Sequence, residues 1–306
     1  MSSTHTQDQD GPLVSIICHT YNHAPYIAQA LDSFLMQRVA FRYEIIVHDD
    51  ASTDGTADIV RRYSEQHPGV VVPILQQENQ YSRGRRAFSF TLPRARGRYI
   101  ALCEGDDYWQ DPDKLAQQVA FLDAHPDYVV CYHDACVIDD QGALRPSKQK
   151  ASDRRDYSAA QLKRGAWMLT LTMCFRNVLG EVPEEQNLIV NADRFLASRL
   201  GFHGKGKYLA HIKPAVYRVH EGGVWSARSH QQRCLCQATT YYWIGVYHAR
   251  QGRNRLGRYF ILKAAGWLLK AAPPLRWPLS SAFGLATKVL FGRADRRRAG
   301  PAGGQR

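Results

Sequence analysis

Through the first two-thirds of the chain, apolar runs of strand length alternate with stretches of helical period. Leu13 to Cys18 is a short apolar run. Ile27, Leu31, Phe34 and Leu35 then fall at i, i+4, i+7 and i+8, one face of a helix. Tyr43 to His48 is rich in strand formers and ends in Asp49-Asp50, and Ser52-Thr53-Asp54-Gly55 is turn chemistry. A helix from about Thr56 to Gln66 groups Ile59, Val60 and Tyr63. Val70 to Leu75 predicts a further strand, which Pro73 assigns to an edge. Arg98 to Cys103 predicts another, ending at Glu104-Gly105-Asp106-Asp107. Leu115, Val119 and Leu122 mark a helix, and Tyr128 to Val137 the next strand. The polar stretch 140–165 has no clear period. Trp167 to Phe175 predicts a strand, Ala192 to Leu200 a helix, and Tyr208 to Val219 a strand pair or extended segment. Beyond Glu221 the pattern is largely helical.

This alternation predicts an α/β fold built on a mainly parallel sheet. In such sheets ligands bind beyond the carboxyl ends of the strands. Tyr21-Asn22, Asp49-Asp50 and Asp106-Asp107 all fall just past predicted strand ends. Asp106 and Asp107, with Glu104 two residues earlier, crowd three acids at one of them. A divalent cation resolves the repulsion, since Mg²⁺ or Mn²⁺ takes carboxylate and phosphate oxygens. A solvated acidic turn or helix N-cap is the other explanation of the same residues. No GxGxxG follows either acidic strand, and no Walker A lysine motif is present, which argues against dinucleotide and P-loop folds.

Val14-Ser15-Ile16-Ile17 through Thr20-Tyr21-Asn22, then Glu44 to Thr56 with Asp49-Asp50-Ala51-Ser52-Thr53-Asp54-Gly55, resembles inverting glycosyltransferase family 2. Arg98 to Leu102 followed by Glu104-Gly105-Asp106-Asp107-Tyr108-Trp109 resembles that family's metal-binding D-x-D segment. The resemblance covers roughly residues 13 to 230. It implies a GT-A (Rossmann-like) fold, a nucleotide-sugar donor, UDP-linked by preference, and Mn²⁺ or Mg²⁺. It implies that Thr20 and Tyr21 lie at the base-binding strand end and that Asp50 hydrogen-bonds the base. Asp106 and Asp107 match the ribose and metal acids. Glu104 stands where the first Asp of D-x-D usually sits, which leaves open which carboxylate meets the metal. Asp193, in Asn191-Ala192-Asp193-Arg194-Phe195-Leu196, is similar to the family's acceptor-side acid and is the expected general base; Glu184 and Glu185 are its rivals. The stretch Tyr217 to Ser226 is also family-like, and its His220 is expected to bind the diphosphate or complete the metal shell. Trp109 and Trp225 are candidate sugar platforms.

Composition adds a division of the chain. The formal charge is +12 over 306 residues. From Arg250 to Arg306 there are 13 Lys/Arg against the single acid Asp295, which leaves the preceding 249 residues balanced. Three regions follow: a polar, disordered tail over 1–12, a catalytic domain over 13–230, and a helical, basic C-terminal extension over 231–306. The first residues lack the basic-then-apolar pattern of a signal peptide. Seven cysteines without framework spacing point to a reducing compartment. No run of about 18 apolar residues exists. Yet Leu256, Phe260, Ile261, Ala264, Trp267 and Leu268 fall on one side of a helical wheel, with Arg255, Arg258, Lys263 and Lys270 on the other. A second apolar stretch, Trp277 to Phe291, precedes Arg293 and Arg296-Arg297-Arg298. This predicts peripheral attachment to an anionic membrane surface on its cytoplasmic face, suited to a lipid-linked or other glycan acceptor. The basic tail has no recognition motif, so nucleic acid is not an expected partner. The competing class is a catalytically silent nucleotide-sugar-binding or scaffold protein on the same fold.

Overall fold

A computed structural model describes residues 11–139, 141–145, 147, 149–220 and 228–272. Ten strands are described: β1 (Val14–Thr20), β2 (Tyr43–Asp49), β3 (Val71–Leu75), β4 (Tyr99–Leu102), β5 (Tyr128–Tyr132), β6 (Ala135–Ile138), β7 (Leu144–Arg145), β8 (Cys174–Arg176), β9 (Lys205–Tyr208) and β10 (Ala215–Arg218). The helices are α1 (Ile27–Leu35), α2 (Thr56–Gln66), α3 (Phe88–Thr91), α4 (Lys114–Ala124), α5 (Ala159–Lys163), α6 (Ala192–Leu200), α7 (His230–Arg250) and α8 (Asn254–Ala271).

Seven strands form one sheet in the order β3-β2-β1-β4-β8-β5-β9. β1 is parallel to β2 and to β4, and β2 to β3. β8 runs antiparallel between β4 and β5, and β9 is parallel to β5. The chain leaves β1 towards β2 on one side and later fills β4 on the other. The carboxyl ends of β1 and β4 therefore flank a topological switch point, where an α/β sheet opens a crevice. β1 reads as a continuous apolar run because both its faces are covered. Ile16 joins a core with Leu31 and Phe34 of α1, Val60 of α2 and Leu115 and Leu122 of α4. Ile17 turns to the other face, packing with Ile100, Phe175, Leu162 and Leu200.

Two predicted strands are corrected. Tyr128 to Val137 is not one strand: it breaks at His133-Asp134, and β6 joins a second sheet of order β10-β6-β7. Of Trp167 to Phe175 only the end becomes β8, because Thr170–Thr172 is a 3-10 turn. Continuous apolarity reports burial and is blind to such changes of direction. All seven cysteines are free thiols.

The described residues fall into two compact units, one comprising 11–187 with 193–220 and the other 188–192 with 228–272. In the second, α7 and α8 form a helical hairpin whose helices meet at glycines. A Cβ on Gly257 would lie 3.0 Å from the Gly245 carbonyl oxygen and 3.2 Å from the Ala249 nitrogen. Replacing Gly257 by valine should therefore splay the hairpin, an overpacking cost of about 1–3 kcal/mol, read as a lower urea midpoint. An unchanged midpoint would show that the backbones are not in contact. No described helix is long and apolar enough to cross a membrane.

Candidate active site

The loops leaving β1 and β2 are fastened to one another. The N–H of Asn22 donates to Ser52 Oγ (2.8 Å), and the N–H of Thr53 donates back to Asn22 Oδ1 (2.9 Å). The N–H groups of Ala24 and Thr56 donate to the Asp54 carboxylate at 2.9 and 3.0 Å. Asn22 and Ala51 carry positive φ, 55° and 61°, a turn geometry that Asn tolerates through local hydrogen bonding. The Ser52-Thr53-Asp54 motif thus acts as a clamp that fixes the strand-end loop. Asp50 is buried, and its carboxylate accepts the N–H groups of Gln80 (2.7 Å) and Tyr81 (3.0 Å). It ties a third loop to the same sheet edge.

Thr20 is buried against the strand end following β4. A Cβ on Gly105 would stand 2.9 Å from Thr20 Cβ, Thr20 Oγ1 and Ile27 Cδ1. Only glycine permits this approach, and Thr20 Oγ1 is left without a hydrogen-bond partner. Tyr21, next along, is 46% exposed. Gly105→Ala should lower the melting temperature, at an overpacking cost of about 1–3 kcal/mol, because the added methyl meets Thr20 and Ile27. A variant that melts like the parent would refute the close approach.

Asp106 is the meeting point of three elements. Its Oδ2 lies 3.1 Å from His220 Nε2, just after β10, and 3.7 Å from His23 Nε2, in the loop after β1. Among the described residues, His23, Asp106 and His220 are the one group of three whose ligand atoms lie within 4.8 Å of one another. Burial opposes the Asp106 charge, but the His220 hydrogen bond and the nearby His23 hold its pKa below the ordinary carboxylate value. Burial lowers the His23 pKa against the pull of Asp106, which favours the neutral, ligating imidazole. Ligands about 2.1 Å from an ion and at right angles stand roughly 3.0 Å apart. The donor set therefore fits a divalent ion.

Asp107 lies elsewhere. It is buried, and its Oδ1 accepts the N–H of Arg218 (2.8 Å). The Arg218 guanidinium donates to the Asp106 carbonyl (3.0 Å) and to Gln29 Oε1 (2.7 Å), and stacks 4.7 Å over the Tyr26 ring. Asp107 and Arg218 thus lock the loop after β4 onto β10. Glu104 is half-buried, and desolvation, with the Asp106 and Asp193 charges nearby, pushes its pKa up to about 7. Asp193, in the first turn of α6, therefore shares the electrostatic field of this strand end. Burial raises its pKa, in spite of Arg194 and a hydrogen bond from the Trp167 side chain. Glu184 and Glu185 sit in a separate 3-10 turn.

Trp109 is not a sugar platform. It is 1% exposed, its Nε1–H donates to the Leu171 carbonyl at 2.8 Å, and its ring packs on Phe34. Trp225, like Glu221 to Ser226 and everything from 273 onward, lies outside the described residues. Sequence reasoning missed His23 and Arg218. The available signal for His23 was an imidazole in the same loop as Thr20 and Tyr21.

The Glycosyl transferase family 2 model matches residues 15–179. The chain belongs to glycosyltransferase family 2. It is 39% identical over 216 residues to an uncharacterized protein of Mycobacterium tuberculosis, covering 69% of this chain and 60% of that one. The match thus spans about three-fifths of the length of that relative. It is 37% identical over 112 residues to UDP-Glc:alpha-D-GlcNAc-diphosphoundecaprenol beta-1,3-glucosyltransferase WfaP of Escherichia coli, covering 36% of this chain and 41% of that one. Among solved structures, the mannosyltransferase PcManGT of Pyrobaculum calidifontis, in complex with GDP-Man and Mn²⁺, superposes with a TM-score of 0.56 at 22% identity. That match covers 92% of this chain and 88% of the other, and it bears out the GT-A fold that the family 2 motifs implied.

Proposed function

We propose that this family 2 protein transfers a sugar, with inversion, from a nucleoside-diphosphate sugar to a hydroxyl of a glycan or lipid-linked acceptor. The observation that carries this is an ion-binding trio at the loop after β4 with a half-buried acid of raised pKa, Asp193 of α6, close enough to act on Glu104 of that same loop. A UDP-linked donor and a role in polysaccharide biosynthesis are favoured by the relative that acts on UDP-Glc and a diphosphoundecaprenol-linked sugar.

In this reading Thr20, Tyr21 and Asp50 form the nucleotide end of the pocket, Thr20 offering an unpaired hydroxyl and Tyr21 an exposed ring. Asp106, His220 and His23 would hold Mn²⁺ or Mg²⁺, which when bound stabilises the charge growing on the leaving diphosphate. Asp107 supports that shell through Arg218. Asp193 takes the proton from the acceptor hydroxyl as its oxygen bonds to the anomeric carbon. The bond from that carbon to the diphosphate breaks, and its electron pair leaves with the diphosphate. An anionic membrane surface on the cytoplasmic side is the further partner, consistent with a lipid-linked acceptor.

The silent-binder alternative predicts donor binding without turnover. A nucleotide-sugar panel read by thermal shift, with and without Mn²⁺, tests the binding half, since a ligand of the folded state raises the melting temperature by mass action. Release of nucleoside diphosphate in the presence of acceptor tests the other half. A donor that stabilises the fold but is never consumed supports the silent binder, and no stabilisation by any nucleotide sugar overturns both readings.

A further inference from the structure

The α7–α8 hairpin combines two properties. Residues 228–272 contain eight Lys/Arg and no Asp or Glu. Four large apolar side chains of the hairpin are also exposed: Leu235 (44%), Tyr242 (47%), Ile261 (39%) and Leu268 (52%). Helix geometry shows that these four share one face. The rings of Tyr241 and Phe260 stack across the helix pair, 6.0 Å apart, and so mark the inward direction on each helix. Gly245 packs against Ile261, and Gly257 against Ala249. With the short turn between the helices, these contacts make the pair antiparallel. Successive residues of a helix turn by about 100°, and seen from one end two antiparallel helices advance in opposite senses. The residue following each inward ring, Tyr242 on α7 and Ile261 on α8, therefore turns to the same side. Leu235 and Leu268 lie seven residues away, two turns along, and fall beneath them.

The other side of α7 is already in use. Thr240, which precedes Tyr241 and turns the opposite way, accepts the N–H groups of Asn191 (3.1 Å) and Val190 (3.3 Å) through its Oγ1. The same geometry turns Arg250 and Arg258 outward at the two lateral edges of the hairpin and puts no charged residue on the apolar face itself.

We propose that this face lies on an anionic lipid bilayer, with Leu235, Tyr242, Ile261 and Leu268 entering the headgroup region. It deepens the membrane part of the proposed function and rests on no residue of the donor site. Charge decides the occupant. A second copy would bring two acid-free, positively charged hairpins together, whereas anionic headgroups complement the edge arginines. Aromatic and aliphatic groups on one face, flanked by arginines at its edges, are the physical makings of an interfacial element.

The 306-residue chain should be sedimented with phosphatidylcholine vesicles with and without phosphatidylglycerol, at low and rising salt. The parent should pellet with phosphatidylglycerol vesicles alone, less so as salt rises. Tyr242→Glu with Leu268→Glu should weaken this by more than about ten-fold. Leu144→Glu, at an exposed apolar position in the other unit, should bind like the parent. Thermal shift with UDP, expected to match the parent in each variant, checks that the fold and donor site are intact. That readout also separates failure of this proposal from failure of the donor-site reading. Three results overturn it: a parent that stays in the supernatant at low salt, a double variant that pellets like the parent, and a parent that is dimeric without vesicles while the double variant is monomeric. The second would assign binding to residues 273–306, and the third would assign the face to a second copy.

Discussion

Asp106→Asn is expected to reduce sugar transfer by at least about 10³-fold, the consequence of losing several kcal/mol of charge stabilisation at the leaving diphosphate. The Asp106 carboxylate approaches both His220 and His23, and an amide is a poor ligand for a divalent ion beside two imidazoles. Mn²⁺ titration by calorimetry or electron paramagnetic resonance should show the ion lost along with turnover. Asp107→Asn makes the informative contrast. Its oxygen accepts a backbone N–H, which asparagine can also do, so ion affinity should change little. The assignment fails if Asp107→Asn loses the ion and Asp106→Asn keeps it, or if the parent turns over fully in excess EDTA.

Asp193→Asn is expected to lower kcat by about 10²–10⁴-fold and to leave donor affinity as it was, because the acid is assigned to the acceptor proton. The pH dependence has a definite sign. A general base works deprotonated, and burial raises the Asp193 pKa. Turnover in the parent should therefore fall as pH drops through that raised value, on a limb above the ordinary Asp value of about 3.9. The limb should vanish in Asp193→Asn. A limb that persists there but disappears in Glu104→Gln would transfer the role to Glu104. Loss of donor binding with turnover per bound donor intact would move Asp193 into the donor site.

The strand ends were legible because their chemistry is local. A parallel strand covered on both faces reads as a short apolar run, as in Ile16-Ile17-Cys18 of β1 and Ile45-Ile46-Val47 of β2. The polar residues after it mark the crevice edge without further information. Helices α1, α2 and α6 were legible from their period and turn residues. The strand expected over Tyr128 to Val137 was read wrongly because His133-Asp134, the point where the chain changes sheets, carries no turn signature. Trp109 was misread for a related reason: its type suits a sugar platform, but its indole N–H meets the Leu171 carbonyl in the core.

By itself the sequence determined the α/β class, the family and the three acidic or aromatic strand ends, because period and residue type are properties of short segments. It also determined the charge division of the chain, since a count of ionised groups needs no fold. Only the tertiary structure decided which of those residues meet. His23, Asp106 and His220 are far apart along the chain and meet because β1, β4 and β10 deliver their loops to one place. Adjacent acids were separated in the same way, Asp106 towards the imidazoles and Asp107 to the backbone of Arg218. The hairpin followed the same rule: the wheel of α8 shows an apolar side, but packing against α7 covers Phe260 and Ala264 and leaves Ile261 and Leu268 exposed. Period states that a face is apolar, and only the contacts made by neighbouring elements state which part of it remains for a partner.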